Sequence, residues 1–156
     1  MNKRIALVLP VGLFLHLASC SEKQESYYPN YADAVRDGAV NRGWIPAFVP
    51  PSASEIHEAH DLDTNVQRLR FRVPPSDARL VTRQMIPQTM SEIQALQEEL
   101  ETPSLSVPWP PELQNGGQSA TMSLGLFATP ASDRPSFCVA VEWTTGWIYA
   151  WSCRRQ

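Results

Sequence analysis

Proline sets the scale of this chain. Fourteen of its 156 residues are proline. Each lacks a backbone donor and holds φ near −65°, so it breaks a helix interior or a central strand. Pro29, Pro46, Pro50, Pro51, Pro74, Pro75, Pro87, Pro103, Pro108, Pro110, Pro111, Pro130 and Pro135 leave only short intervals. They divide the chain into short elements. The expected class is α+β: an antiparallel sheet of about five strands, with two or three short helices on one face. Five Trp, five Phe and four Tyr supply enough aromatic volume to nucleate its core.

The amino terminus is patterned differently. Lys3 and Arg4 precede a mostly apolar run from Ile5 to Leu17, interrupted by Pro10, Gly12 and His16 and followed by Ala18, Ser19 and Cys20. That is the layout of a secretory signal. The run is shorter than the roughly 20 residues a spanning helix needs. Leu17-Ala18-Ser19-Cys20 resembles the lipobox of bacterial lipoproteins. The resemblance implies cleavage before Cys20, diacylation of its thiol and acylation of the new terminus. One acyl chain holds only marginally and two or more hold stably, at about 0.8 kcal/mol per buried methylene. Residues 1–19 are thus read as a lipoprotein signal peptide, 20–29 as a lipidated tether and 30–156 as one globular domain. The tether would reach at most roughly 30 Å from the membrane. By the same resemblance Ser21, not being aspartate, points to the outer membrane, facing the periplasm. The competing reading is an unlipidated signal with an incidental cysteine; charge, length and the four-residue box together favour the lipobox.

The formal net charge is −3, and loss of Lys3 and Arg4 with the signal makes the mature chain more acidic. Nucleic acid is therefore not an expected partner, since phosphate binding needs a basic surface. The mature chain keeps Cys138 and Cys153 besides Cys20. An exported chain meets an oxidising compartment, so a disulfide is expected, with two buried thiols as the alternative. Two cysteines alone do not make a zinc site.

Along the chain, Asn30 is placed to cap a short helix from Tyr31 to Asp37 that ends at Gly38. Gly43 to Pro51 is too apolar for a free loop and is expected to pack on the core. The functional reading of that segment is an aromatic, proline-rich groove; core packing is the plainer one. Ser54 to His60 and Val66 to Val73 read as strands of a hairpin, joined by Asp61 to Asn65. In the second strand Leu69, Phe71 and Val73 alternate with Arg68, Arg70 and Arg72. Ser76 would cap a helix from Asp77 to about Met85, with Leu80, Val81 and Met85 inward. Thr89 and Glu92 form a capping box for a second, carrying Ile93, Leu96 and Leu100 on one side. Pro103 to Gly117 reads as loop, with Trp109 covering the core in preference to serving as a docking motif.

Ala120 to Ala128, Phe137 to Trp143 and Trp147 to Cys153 form a C-terminal three-stranded meander. A loop of Thr145-Gly146, or of Thr144 to Trp147, sets Cys138 opposite Cys153. A three-residue loop with Gly146 left-handed turns them to opposite faces. The cysteines favour the facing register, where Cα atoms about 4.5 to 5.5 Å apart suit a disulfide. Such a bond contributes on the order of 3 kcal/mol.

No strong catalytic motif emerges. His57-Glu58-Ala59-His60 lacks the helical i, i+4 spacing of a metalloprotease, and in a strand its two histidines face opposite ways. A site built from His57 or His60 with Asp61 or Asp63 is the enzymatic alternative, metal-dependent or hydrolytic. Asp61, Asp63 and Asn65 copy the start of a calcium loop, but Val66 and Arg72 stand where glycine and glutamate are required. A self-capped turn explains the three better. The arginine stripe could meet anionic lipid or envelope polymer. Pairing with acids of the adjacent strand, Glu55 or Glu58, is the commoner arrangement.

Gly43-Trp44-Ile45-Pro46, Pro50-Pro51-Ser52-Ala53, Ile56 and His60-Asp61-Leu62-Asp63-Thr64-Asn65 resemble a group of small uncharacterised bacterial lipoproteins carrying a YbbD head domain. The likeness runs from Tyr31 to about Val73. It implies one compact domain behind a lipobox and brings no activity or catalytic residues with it. The expectation is a lipid-anchored, non-enzymatic envelope protein. It would hold membrane lipid through acylated Cys20, bind an envelope protein or polymer, and use neither cofactor nor metal.

Overall fold

The structure, a computed structural model, describes residues 23–97, 109, 110, 113, 124–130, 132 and 135–153. Among these run β1 (Lys23–Asn30), α1 (Tyr31–Asp37), β2 (Ser54–Asp61), β3 (Gln67–Arg72), α2 (Pro75–Thr82), β4 (Ile86–Pro87), α3 (Met90–Gln97), β5 (Leu124–Ala128), β6 (Phe137–Glu142) and β7 (Trp147–Ser152). The strands make one sheet of seven in the order β1-β2-β3-β7-β6-β5-β4. All the pairings are antiparallel.

Seven strands replace the five expected, and both additions lie at the edges. Lys23 to Pro29, read as tether, forms nearly all of β1 and pairs along β2 from Lys23 opposite Asp61 to Asn30 opposite Ser54. Its polar, charged sequence lacks the apolar alternation of a covered strand, and an edge strand needs little of it. The other edge, β4, is two residues long and contains Pro87, a residue confined to edges.

Local signals explain the helix ends. Asn30 Oδ1 accepts from the Asp33 backbone N–H at 3.0 Å. Gly38, with φ +81°, donates its N–H to the carbonyls of Ala34 and Val35. Thr89 and Glu92 close the expected box: Glu92 Oε2 accepts from Thr89 N at 2.7 Å, and Thr89 Oγ1 from Glu92 N at 3.3 Å. In α2, Pro75 takes the first turn and no side chain caps it. Ser76 bonds Asp77 instead. Leu80, expected inward, is 62% exposed.

Each face of the sheet has its own core. On the first, Ile56, Leu69, Phe71, Val139, Val141 and Ile148 pack beneath Ala34 of α1 and Ala78 and Val81 of α2. On the second, Cys138, Ala140, Tyr149 and Trp151 pack with Ile93 of α3, Trp109 and Leu113. Helices thus flank both faces, not one. Trp109 covers the second core as expected, its ring edge-on to Tyr149 and Trp151. The side chains of Leu96 and Leu100 lie outside the described residues. Fully burying a large apolar side chain contributes about 1.5–3 kcal/mol.

The β6–β7 turn corrects the expected register. Glu142 pairs with Trp147 and Cys138 with Trp151, so Trp143 to Gly146 is the loop. Gly146 is left-handed at φ +76°, donates to the Glu142 carbonyl at 2.9 Å, and accepts from Val73 N at 2.9 Å. This contact with the end of β3 selects the register. Cys153 falls on the same face as Cys138, but diagonally across rather than opposite.

Candidate functional site

Period-two alternation in β2 sends Ile56, Glu58 and His60 to the first face. A bulge at the strand's start sets that phase: Glu55 has φ +49°, and the β2–β3 register shifts between Ser54 and His57. Glu58 is 0% exposed and His60 2%. His60 Nδ1 lies 2.8 Å from Glu58 Oε1.

The cover comes from the turn after α1. Trp44 N donates to the Ala39 carbonyl at 3.0 Å, and the Trp44 ring stacks on His60 at 4.1 Å and 28°. The Arg42 guanidinium lies 4.1 Å above the same indole. Arg42 is held in turn by Asp37 at 2.7 Å, and Asp37 accepts from the Tyr28 hydroxyl at 2.9 Å. Gln67, opposite His60 on β3, donates to the Gly43 carbonyl at 3.3 Å.

Burial dominates the electrostatics. It pushes the Glu58 carboxyl up to about 8, with Arg42 pulling the other way and Glu25 adding to the rise. Burial, then Arg42, holds the His60 imidazole below its ordinary value, against the pull of Asp61. Near neutral pH the pair therefore keeps one proton and no net charge, whichever partner carries it. Glu58 Oε2, His60 Nε2 and Gln67 Oε1 are buried without hydrogen-bond partners among the described residues. Each such atom costs about 1–3 kcal/mol. The arrangement can store and exchange a proton inside the domain. Its burial beneath Trp44 keeps a substrate away from it.

The four residues of the enzymatic alternative do not converge. His57 is on the second face against Tyr27, ring centroids 4.6 Å apart, while His60 is on the first. Asp61 Oδ1 accepts from Asp63 N at 3.0 Å and Thr64 N at 3.1 Å. Those bonds, Thr64's first, hold its carboxylate below the usual range. Asp63 is exposed and Asn65 is left-handed at φ +54°. The segment is a turn that caps its own backbone. Among the described residues no group of three or more His, Cys, Asp or Glu could hold a metal ion.

The arginine stripe lies on the second face and meets aromatic rings as well as an acid. Arg70 lies 3.9 Å over Trp147, and Arg68 5.4 Å over Trp109. Such contacts contribute about 0.5–2 kcal/mol each. Arg72 meets Glu55 at 3.5 Å and the Thr145 carbonyl at 3.2 Å. Glu58, the other expected acid, points away to the first face. Cys138 and Cys153 are both buried and share the second core. Trp151, not Cys153, stands opposite Cys138. Cys20 lies outside the described residues.

The proline-rich segment forms one wall of an open cleft of about 920 Å³. Pro46, Phe48 and Pro50 face Leu80 and Met85 across it, with Phe137 among its lining residues. Sequence reasoning preferred core packing for this segment, which Ile45 and Val49 show, kept the groove as the alternative, and missed the Glu58–His60–Trp44 cluster. The alternation of Ile56, Glu58 and His60 was the available signal.

Residues 22–72 match the family model of the YbbD head domain. The match ends with β3, so α1, the Trp44 turn and the whole Glu58–His60 cluster fall inside it. This stretch is similar to the YbbD head domain, and β7 pairs along its β3 edge. No curated protein and no solved structure matches the chain.

Proposed function

We propose that this chain is a lipid-anchored lipoprotein of the bacterial cell envelope, facing the periplasm from the outer membrane, that binds an envelope protein or polymer without transforming it. The cleft is the observation that carries the binding role. It is open and largely apolar, and its lining residues lack acids and histidines. Such a surface recognises shape and apolar groups. The clustered acid and imidazole, by contrast, are sealed beneath Trp44. The lipobox and the signal ahead of it carry the anchor.

Cross-linking in native envelopes tests the binding role. A probe beside the cleft should trap one partner, and Leu80→Glu, which changes an exposed residue on the cleft wall, should lose that product without loss of stability. Equal trapping by both proteins places binding elsewhere. Mass spectrometry of the mature amino terminus tests the anchor, with an acylated Cys20 expected.

A further inference from the structure

The anchor reading acquires a geometry from β1. Lys23 is already paired with Asp61, and only Ser21 and Glu22 separate it from Cys20. The link from Cys20 to the sheet spans at most about 10 Å. An expected tether of roughly three times that reach would let the domain turn freely. A link this short cannot.

One end of the sheet must therefore stay beside the acylated residue. That end carries the β2–β3 turn, directly across from the start of β1. Its tip holds Leu62, 48% exposed and among the few large apolar side chains left in solvent. The turn is rigid, because Asp61 Oδ1 accepts from both Asp63 N and Thr64 N. The neighbouring acids limit attraction to anionic lipid, so a zwitterionic surface suits this tip best.

We propose, on the strength of the lipobox reading, that the Asp61–Asn65 turn is a membrane-contact surface and that Leu62 enters the headgroup region of the bilayer that holds Cys20. The partner is the lipid surface itself. The bound domain stands with its strands rising from the bilayer, and the β6–β7 turn at Thr144 is the remote end, about 20 Å away at 3.3 Å per residue.

The test uses the full mature chain, acylated at Cys20, in phosphatidylcholine–phosphatidylethanolamine vesicles with a nitroxide-bearing lipid. Leu62→Cys and Thr144→Cys each carry a fluorophore; both sites are exposed, whereas Cys138 and Cys153 are buried. The Leu62 site should be quenched about two-fold or more above the Thr144 site. Equal quenching, with Cys20 acylation verified by mass, overturns the orientation and leaves the anchor standing. An unacylated Cys20 overturns both.

Discussion

His60 Nδ1 stands 2.8 Å from Glu58 Oε1, in a place where neither side chain reaches water. The pair should shape the pH dependence of stability. Glu58 rises from 4.5 to about 8 on folding, so its contribution is complete below 4.5 and lost as pH rises through 8. His60 falls from 6.5, so its contribution is complete above 6.5 and lost as pH drops through its folded value. The two oppose one another between the two ordinary values, and above 6.5 the Glu58 decline stands alone. The alkaline decline amounts to about 2 kcal/mol. Urea midpoints measured from pH 6 to 9 should fall for the native chain and stay flatter for Glu58→Gln. Parallel curves would exclude Glu58 as the source.

Trp44 keeps water from this pair. Trp44→Ala should destabilise the domain by about 2–4 kcal/mol and return the His60 imidazole toward its ordinary value. Trp44→Phe should keep most of both. Imidazole NMR titrations alongside denaturant melts check this. An unchanged His60 titration in Trp44→Ala would mean that another group excludes the water.

The β6–β7 turn tolerates no side chain at Gly146. A Cβ there would sit 1.9 Å from the Val73 carbonyl oxygen, on a backbone at φ +76°. Gly146→Ala should cost at least about 2 kcal/mol, more than the left-handed penalty alone. Thermal unfolding reads this out, with Gly43→Ala as the comparison, left-handed but facing open space.

The box at α3 should contribute about 1 kcal/mol through Thr89. Its hydrogen bonds hold the Glu92 carboxylate below its usual range, so this support is present above the ordinary carboxylate value and fades as pH falls through the folded one. Thr89→Ala should lower the melting temperature at pH 7 and lose less at pH 3. An equal loss at both would remove Glu92 from the cap.

Cys138 and Cys153 share a face and a core but sit on a diagonal. Diagonal neighbours have Cα atoms about 7–8 Å apart, so a bond between them draws the strands toward the roughly 6.8 Å limit of a relaxed disulfide. The expected disulfide should protect both residues from alkylation after denaturation until reductant is added. Modification of both without reductant would show two thiols.

The sequence was most legible where two signals agreed. Arg68 to Phe71 alternated cleanly, and β3 followed. Asn30 and Gly38 framed α1, and Thr89 with Glu92 framed the start of α3. Edge strands were hard to see because they are half-solvated: β1 carries Lys23, Gln24 and Glu25, and β4 carries Pro87. The cysteine register failed because Gly146 answers to Val73, a contact no local pattern reveals. Glu58 looked like a surface acid suited to the arginines. Only the bulge at Glu55 and the long reach of Trp44 turn it into a buried one.

The junction of β3 with β7 also orders events in time. Leu69 pairs with Ala150 across about 80 residues of chain, while β2 to β3 and β6 to β7 close through short turns. Contacts this distant in sequence form late and slow the search. A chain made amino terminus first releases its head-like unit early. The outer edge of β3 then waits, its alternate N–H and C=O groups unmet, until β7 emerges. In that interval the edge can accept a foreign strand, so the arrival of β7 also ends the period of greatest vulnerability to aggregation.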